Sequence, residues 1–159
     1  SNRVPTLAEA LVAGRGKVYF DLDLKDIDPA AVVKVVDSVH MLDRVAFYRG
    51  SSKALAKEVT DVNAECIVFP YVKSTAVIDY WSENARIKMV QLDYNNELTA
   101  GPIVLAAKEK GLVSFANYLN APGEGVVNGD HSVLERILQL QFQIIQTDYT
   151  EFVNAYLGK

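Results

Sequence analysis

A single cysteine, Cys66, leaves the chain without the means to form an internal disulfide. It sits in the apolar run CIVFPYV, the setting of a small core residue rather than of a nucleophile. Lysines and arginines are not clustered, and the formal net charge is −4. Nucleic acid and anionic membranes both want a basic stripe, so neither is expected as the main partner. No apolar run approaches the ~20 residues needed to cross a bilayer, so no membrane span is expected. The opening stretch SNRVPTLAEAL lacks the basic-then-apolar pattern of a secretory signal. Linkers and low-complexity tracts are also missing. What is present is the material of a core: 50% of the 159 residues are hydrophobic and 23% are charged, the balance of one globular domain spanning residues 1–159.

Six short apolar runs recur, most of them rich in β-branched or aromatic residues as strands are: KVYFDLDL (17–24), RVAFYRG (44–50), CIVFPYV (66–72), IKMVQLDY (87–94), GLVSFANYL (111–119) and QIIQTDYT (143–150). Between them lie stretches of helical spacing, namely DPAAVVKVVDSVHML, SSKALAKEVTDVNAE, KSTAVIDYWSENA, AGPIVLAAKEKG and HSVLERILQLQ. A first helix, TLAEALVAG, precedes the first strand, and a last one, EFVNAYLG, follows the sixth. Start signals agree: Thr6 with Glu9 three residues on, Asp28 before Pro29, and Ser51 or Ser52 before Lys53. Gly111 is placed to end the helix before the fifth strand. Strict alternation of strand and helix predicts right-handed βαβ units and a parallel sheet, either covered on both faces or closed into a barrel. A barrel needs eight strands, and six are written here. An open barrel leaves its first and last strands with unpaired edges.

The first strand carries an unusual face. Side chains alternate along a strand, so Tyr19, Asp21, Asp23 and Lys25 share one side while Val18, Phe20, Leu22 and Leu24 share the other. In a sheet with helices outside, the charged side points into a barrel interior or a crevice at the strand's C-terminal end. Charges buried there must pair with one another, hold a metal or bind a ligand.

Four stretches in order, VPTLAEAL (4–11), DLDLK (21–25), VSFANYL (113–119) and IIQTDYTEFVNAYL (144–157), resemble the glycerophosphodiester phosphodiesterase family. The family writes them approximately as I-P-T-L-x-E-x-L, I-E-I-K, V-x-V-N-T-L and G-x-D-x-I-x-T-D-x-P. The resemblance implies an α/β fold, a TIM barrel, of which this chain carries about six of eight βα units. The family's strand with His-Arg-Gly, and the next with Glu-x-Asp and a nearby histidine, come before the I-P-T-L helix and are not in this sequence. The chain is thus expected to be the C-terminal portion of such a barrel, which leaves its localisation open.

Residue by residue, the resemblance places Asp23 on the carboxylate of I-E-I-K, a ligand of Mg²⁺ or Ca²⁺, and Lys25 on the lysine that faces the substrate phosphate. Oxygen ligands suit a hard dication, and an ammonium two residues on shares the face and neutralises a phosphate oxygen. Aspartate for glutamate shortens the ligand by one methylene. Asp21 falls where the family often has a polar residue, with an ion pair to Lys25 as its structural role. Asn117 matches the asparagine of V-x-V-N-T-L and is expected to contact substrate at a strand's C-terminal end. Phe115 matches a barrel-lining aromatic, for which core packing is expected. Thr147 and Asp148 match the closing T-D, where Asp148 is expected to organise the loop or cap the last helix. His40 reads as structural, at a helix end on the opposite face. His131, after the loop NAPGEGVVNGD, either touches substrate or belongs to a first helical turn capped by Asp130. Arg49, beside Tyr48 at the end of the second strand, either grips a phosphate bidentately or forms an ion pair.

The resemblance implies metal-dependent hydrolysis of a glycerophosphodiester, a small molecule, to an alcohol and glycerol 3-phosphate. The family's two catalytic histidines are not in this chain, so no catalytic residue is identified beyond the candidate His131, and the chain alone is expected to be inactive. Its open edges suit a missing N-terminal fragment or a second copy as partner. The alternative is a non-catalytic relative that binds a phosphorylated ligand or a partner protein.

Overall fold

Three of the helices begin as their sequences dictate. In the computed structural model, which describes residues 3–95, 97–119, 125 and 128–158, α1 (Leu7–Gly14) opens on a capping box. The Thr6 hydroxyl accepts the Glu9 N–H at 3.3 Å while the Glu9 carboxylate accepts the Thr6 N–H at 2.8 Å. Asp28 accepts the Ala30 N–H at 3.0 Å to start α2 (Pro29–Ser38), with Pro29 in the position where a missing N–H costs nothing. Of the two candidate serines, Ser52 caps α3 (Lys53–Val62) by accepting the Leu55 N–H at 3.3 Å.

Strand and helix alternate as expected: β1 (Phe20–Asp23), β2 (Val45–Tyr48), β3 (Ile67–Phe69), α4 (Thr75–Asn84), β4 (Met89–Gln91), α5 (Glu97–Glu109), β5 (Val113–Asn117), α6 (Ser132–Gln139), β6 (Ile144–Gln146) and α7 (Thr150–Tyr156). The strands are shorter than their apolar runs. β1 starts at Phe20 rather than Lys17 because the Lys17 and Val18 N–H groups turn back to the Gly14 carbonyl, at 3.0 and 3.1 Å, to finish α1. α5 starts at Glu97 rather than Ala100, so Pro102 lies inside the helix. Gly111, at φ +69°, ends it, and the next N–H, from Leu112, reaches back to Ala107 at 2.8 Å.

All sheet pairing is parallel, in two three-stranded sheets ordered β1-β2-β3 and β4-β5-β6. Among the described residues these strands do not close into a barrel, so the barrel expected from the sequence is represented by its βα units and not by its closure. The chain divides into two compact units, one of Ser1–Tyr71 with Tyr80–Lys88, the other of Val72–Asp79 with Met89–Lys159.

In the first unit, β1 pairs with β2 from Phe20↔Val45 to Asp23↔Tyr48, and β2 with β3 from Ala46↔Ile67 to Tyr48↔Phe69. Leu11, Val33, Val36, Phe47, Val59 and Cys66 form its buried core, with Phe20, Leu22 and Leu24 packed against it. Cys66 is fully buried, and loss of hydration pushes its thiol up to about 11, so it is the core residue expected. In the second unit, β5 sits between β4, in register Met89↔Val113, and β6, in register Phe115↔Ile144. Its buried side chains include Val90, Leu92, Ile103, Ala107, Phe115 and Leu134. No helix among the described residues is long and apolar enough to cross a membrane.

Candidate phosphate and metal site

The alternation of β1 works as read: Phe20 and Leu22 turn toward the core, and Asp21 and Asp23 to the other face. Asp21 and Asp23 are exposed, so that face is open to solvent rather than enclosed, and among the described residues β1 pairs with β2 alone. Just past the strand, the Lys25 ammonium forms an ion pair with the Asp23 carboxylate. This hydrogen bond raises the Lys25 pKa. Lys25 therefore pairs with Asp23 and not, as the sequence suggested, with Asp21.

Asp21 has a different environment. Its carboxyl is reachable by solvent, yet surrounding protein thins its hydration, and the negative charge of Asp23 on the same face adds to the effect. Together they push Asp21 up to about 6. Tyr48 lies across the sheet from Asp23 in register, and its phenol is raised first by burial, then by the charges of Asp23 and Asp21. Two carboxylates on one face with unfavourable mutual charge make a donor pair suited to a hard dication. They do not make a complete ligand set: among the described residues no three His, Cys, Asp or Glu side chains gather in a group that could hold a metal ion.

Arg49 occupies the end of β2. Its side chain is only 7% exposed, and the guanidinium is turned onto the backbone that carries Lys25. Nη1 donates to the Leu24 carbonyl at 2.7 Å and to the Lys25 carbonyl at 3.2 Å, and Nη2 meets Glu58 Oε2 at 3.4 Å. Leu24 N–H, in turn, donates to the Tyr48 carbonyl at 3.3 Å. Arg49 thus ties the β1–α2 segment to the end of β2. Nothing in the sequence singles out Glu58, which completes the arrangement from α3.

The other candidates belong to the second unit. Asn117 ends β5 with an exposed side chain, and its carbonyl accepts a hydrogen bond from the Tyr94 hydroxyl at 3.2 Å. Phe115 is buried, as expected of a packing residue. His131 lies at the start of α6, its ring 4.6 Å from that of Tyr156, whose hydroxyl donates to Glu135 Oε1 at 3.0 Å. Asp130 accepts the Ser132 N–H at 3.1 Å, and these bonds to Ser132 hold its carboxyl below the usual range. His131 begins the helix as the sequence offered, but it is itself the N-cap and no side chain caps α6, so Asp130 closes the turn ahead of the helix and does not cap it.

At the start of α7 the capping role expected for Asp148 needs correcting. The N-cap is Tyr149, no side chain caps the helix, and it is the Thr147 hydroxyl that accepts the Tyr149 N–H at 3.0 Å. A threonine hydroxyl two residues ahead closes this turn within its own backbone. His40 lies at the end of α2, where it was read, exposed at φ +54° with its N–H on the Asp37 carbonyl at 2.8 Å.

The sequence matches no family model and no curated protein. Its structure is similar to solved ones. A glycerophosphoryl diester phosphodiesterase from Parabacteroides distasonis superposes with a TM-score of 0.84 at 18% identity, over 98% of this chain and 56% of that one. For a glycerophosphodiester phosphodiesterase from Agrobacterium tumefaciens the TM-score is 0.72 at 19% identity, over 96% of this chain and 62% of that one. A second one from P. distasonis gives 0.68 at 16% identity, over 97% and 64%. At such identities the likeness is one of fold. The chain has the α/β fold of these phosphodiesterases along nearly its whole length, and spans 56–64% of theirs.

Proposed function

We propose that this chain is the larger part of a TIM-barrel phosphodiesterase that cleaves glycerophosphodiesters to an alcohol and glycerol 3-phosphate with the help of Mg²⁺ or Ca²⁺. The observation that carries the reading is the shared fold: three proteins named for this activity match nearly all of this chain, which spans under two thirds of each. The Asp23–Lys25 pair on the open face of β1 agrees with it.

In this reading Asp23, with Asp21 beside it, would hold the cation, and the remaining ligands would come from further βα units. A bound dication supplies positive charge to a phosphodiester oxygen. Lys25 exchanges its partner Asp23 for the substrate phosphate, as a mobile point charge suited to that role. Arg49 holds the backbone on which Lys25 stands, and Asn117 offers its amide to the substrate. The chain alone lacks the two histidines that the resemblance assigns to acid and base catalysis, so it is inactive until joined to them.

The test is release of glycerol 3-phosphate from a glycerophosphodiester, by this chain alone and by the chain joined to the two missing βα units, with Mg²⁺ or Ca²⁺ and with chelator. Turnover only in the joined, metal-loaded form supports the reading. Asp23→Ala and Lys25→Ala should each lower it about a hundredfold or more, the scale of removing one charge-stabilising group. Turnover by the isolated chain would contradict its inactivity, and no turnover by the joined barrel would overturn the hydrolase.

One observation favours a second reading, a non-catalytic barrel that binds a phosphorylated ligand or a partner protein. Asp23 is the shorter acid where the family has glutamate, and its carboxylate is already engaged by Lys25. Calorimetry separates the two, since a degenerate binder shows no Mg²⁺ or Ca²⁺ heat that disappears in Asp23→Ala.

A further inference from the structure

The segment between β5 and α6 holds a labile pair that has no part in the site above. Asn128 and Gly129 form an exposed turn, the sole place in the sequence where glycine follows asparagine. An asparagine loses its amide when the next backbone nitrogen reaches its side-chain carbonyl carbon. Hydrogen bonds protect against this, either by holding the side chain or by engaging that nitrogen, and the other described asparagines each have one. Asn63 Oδ1 accepts the Glu65 N–H at 2.9 Å, Asn84 Nδ2 donates to the Tyr80 carbonyl at 2.8 Å, and Asn95 Nδ2 donates to Asp93 Oδ1 at 2.6 Å. After Asn117 the Tyr118 N–H donates to the Gln146 carbonyl at 2.8 Å, and after Asn154 the Ala155 N–H lies within α7. Asn128 has neither protection. Among the described residues its side chain and the Gly129 N–H make no hydrogen bond. Gly129 stands at φ +84° with nothing within 4 Å of the place a Cβ would take, so its nitrogen is unshielded. The bond that closes this loop, from the Asp130 N–H to the Gly125 carbonyl at 2.7 Å, uses neither group.

We propose that Asn128 is a site of spontaneous covalent modification, deamidation to aspartate and isoaspartate, with water as the co-reactant. The Gly129 nitrogen gives its proton to hydroxide and bonds to Asn128 Cγ. The Cγ–Nδ2 bond breaks, and the amine takes a proton from water and leaves as ammonia, so that a five-membered succinimide remains. Water then opens the ring, and no oxidation or reduction is involved. Addition at Cγ gives aspartate, while addition at the main-chain carbonyl carbon gives isoaspartate, in which the chain runs through the former side chain. Either product adds one negative charge to a chain whose formal net charge is −4, two residues ahead of Asp130 and between Asn117 and His131. Isoaspartate also lengthens the backbone by one methylene, just before the turn in which Asp130 accepts the Ser132 N–H.

The folded chain is held at pH 6 and at pH 8.5, digested and mapped by mass spectrometry, with an isoaspartyl methyltransferase to mark isoaspartate. The expected result is loss of the amide at Asn128, with more isoaspartate than aspartate formed, while the peptides that carry Asn63, Asn84, Asn117 and Asn154 keep theirs. The loss is faster at pH 8.5, because the attacking nitrogen must give up its proton. On isoelectric focusing the chain gains an acidic band. Asn128→Gln, at an exposed position, should not gain it, since the longer side chain has to close a six-membered ring. An amide that persists at Asn128, loss at the other four that keeps pace with it, or an acidic band that survives in Asn128→Gln would each overturn the assignment.

Discussion

Lys25 and Asp23, two residues apart at the C-terminal end of β1, hold each other in an ion pair that is open to solvent on both sides. Water and salt screen such a pair, so it adds little to folding. Asp23→Asn should therefore leave the urea midpoint of the isolated chain where it is, in low salt and in high. It should also let the Lys25 pKa drop back toward that of an ordinary lysine, since the bond to Asp23 is what raises it. A clear loss of stability in this variant would mean that the pair is a strut rather than a reserved functional group.

Asp21 gives a stability signature of the opposite kind to a paired carboxylate. Its folded pKa, about 6, lies above the ~3.9 of an unfolded aspartate, so the folded state holds its proton more tightly. Ionisation then costs stability: the penalty is absent below about pH 4, grows as the pH rises through 6, and is complete above it. In the presence of chelator, Asp21→Asn should raise the melting temperature at pH 7.5 and leave it nearly unchanged at pH 4. An NMR titration of the Asp21 carboxyl should find its midpoint near 6, and lower in Asp23→Asn.

Glu9 behaves in the usual direction. Its hydrogen bond with Arg3, and those with the Thr6 backbone and hydroxyl, hold its carboxyl down at about 2. The contribution is complete above the ~4.3 of an unfolded glutamate and is lost as the pH falls through 2. Thr6→Ala removes the other half of the box and should cost about 1 kcal/mol by urea denaturation, as lost N-caps do. Glu9→Gln should flatten the acid limb of the stability profile between pH 4 and 2.

Arg49 donates from a buried guanidinium to two backbone carbonyls that hold Lys25 in place. Arg49→Gln cannot span these acceptors and should destabilise the chain by about 1–3 kcal/mol, the range for hydrogen bonds to a charged group with partners left unmet. Hydrogen exchange should speed up first at Leu24, whose N–H closes the same segment onto Tyr48. If the variant keeps full stability, Arg49 is free to serve a ligand, the phosphate-gripping role that its sequence position also allows.

Much of the architecture was legible in the chain itself. The order of strands and helices, the caps at Thr6, Asp28 and Ser52 and the stop at Gly111 all depend on residues a few positions apart, where backbone donors meet side chains before any packing occurs. The shared face of Asp21 and Asp23 follows from the two-residue period of a strand in the same way. The ends of the strands were less legible, because β1 yields its first residues to the end of α1.

What the sequence by itself determined, then, was the list of elements and which side chains share a face. Tertiary structure decided the partners. Arg49 finds its acceptors 24 and 25 residues away, on carbonyls that every residue type carries and that no sequence pattern marks. His131 finds its ring partner in Tyr156, and the Trp81 N–H finds none among the described residues. Contacts between distant segments exist only once strands have paired and helices have docked, so they leave no local signature to read.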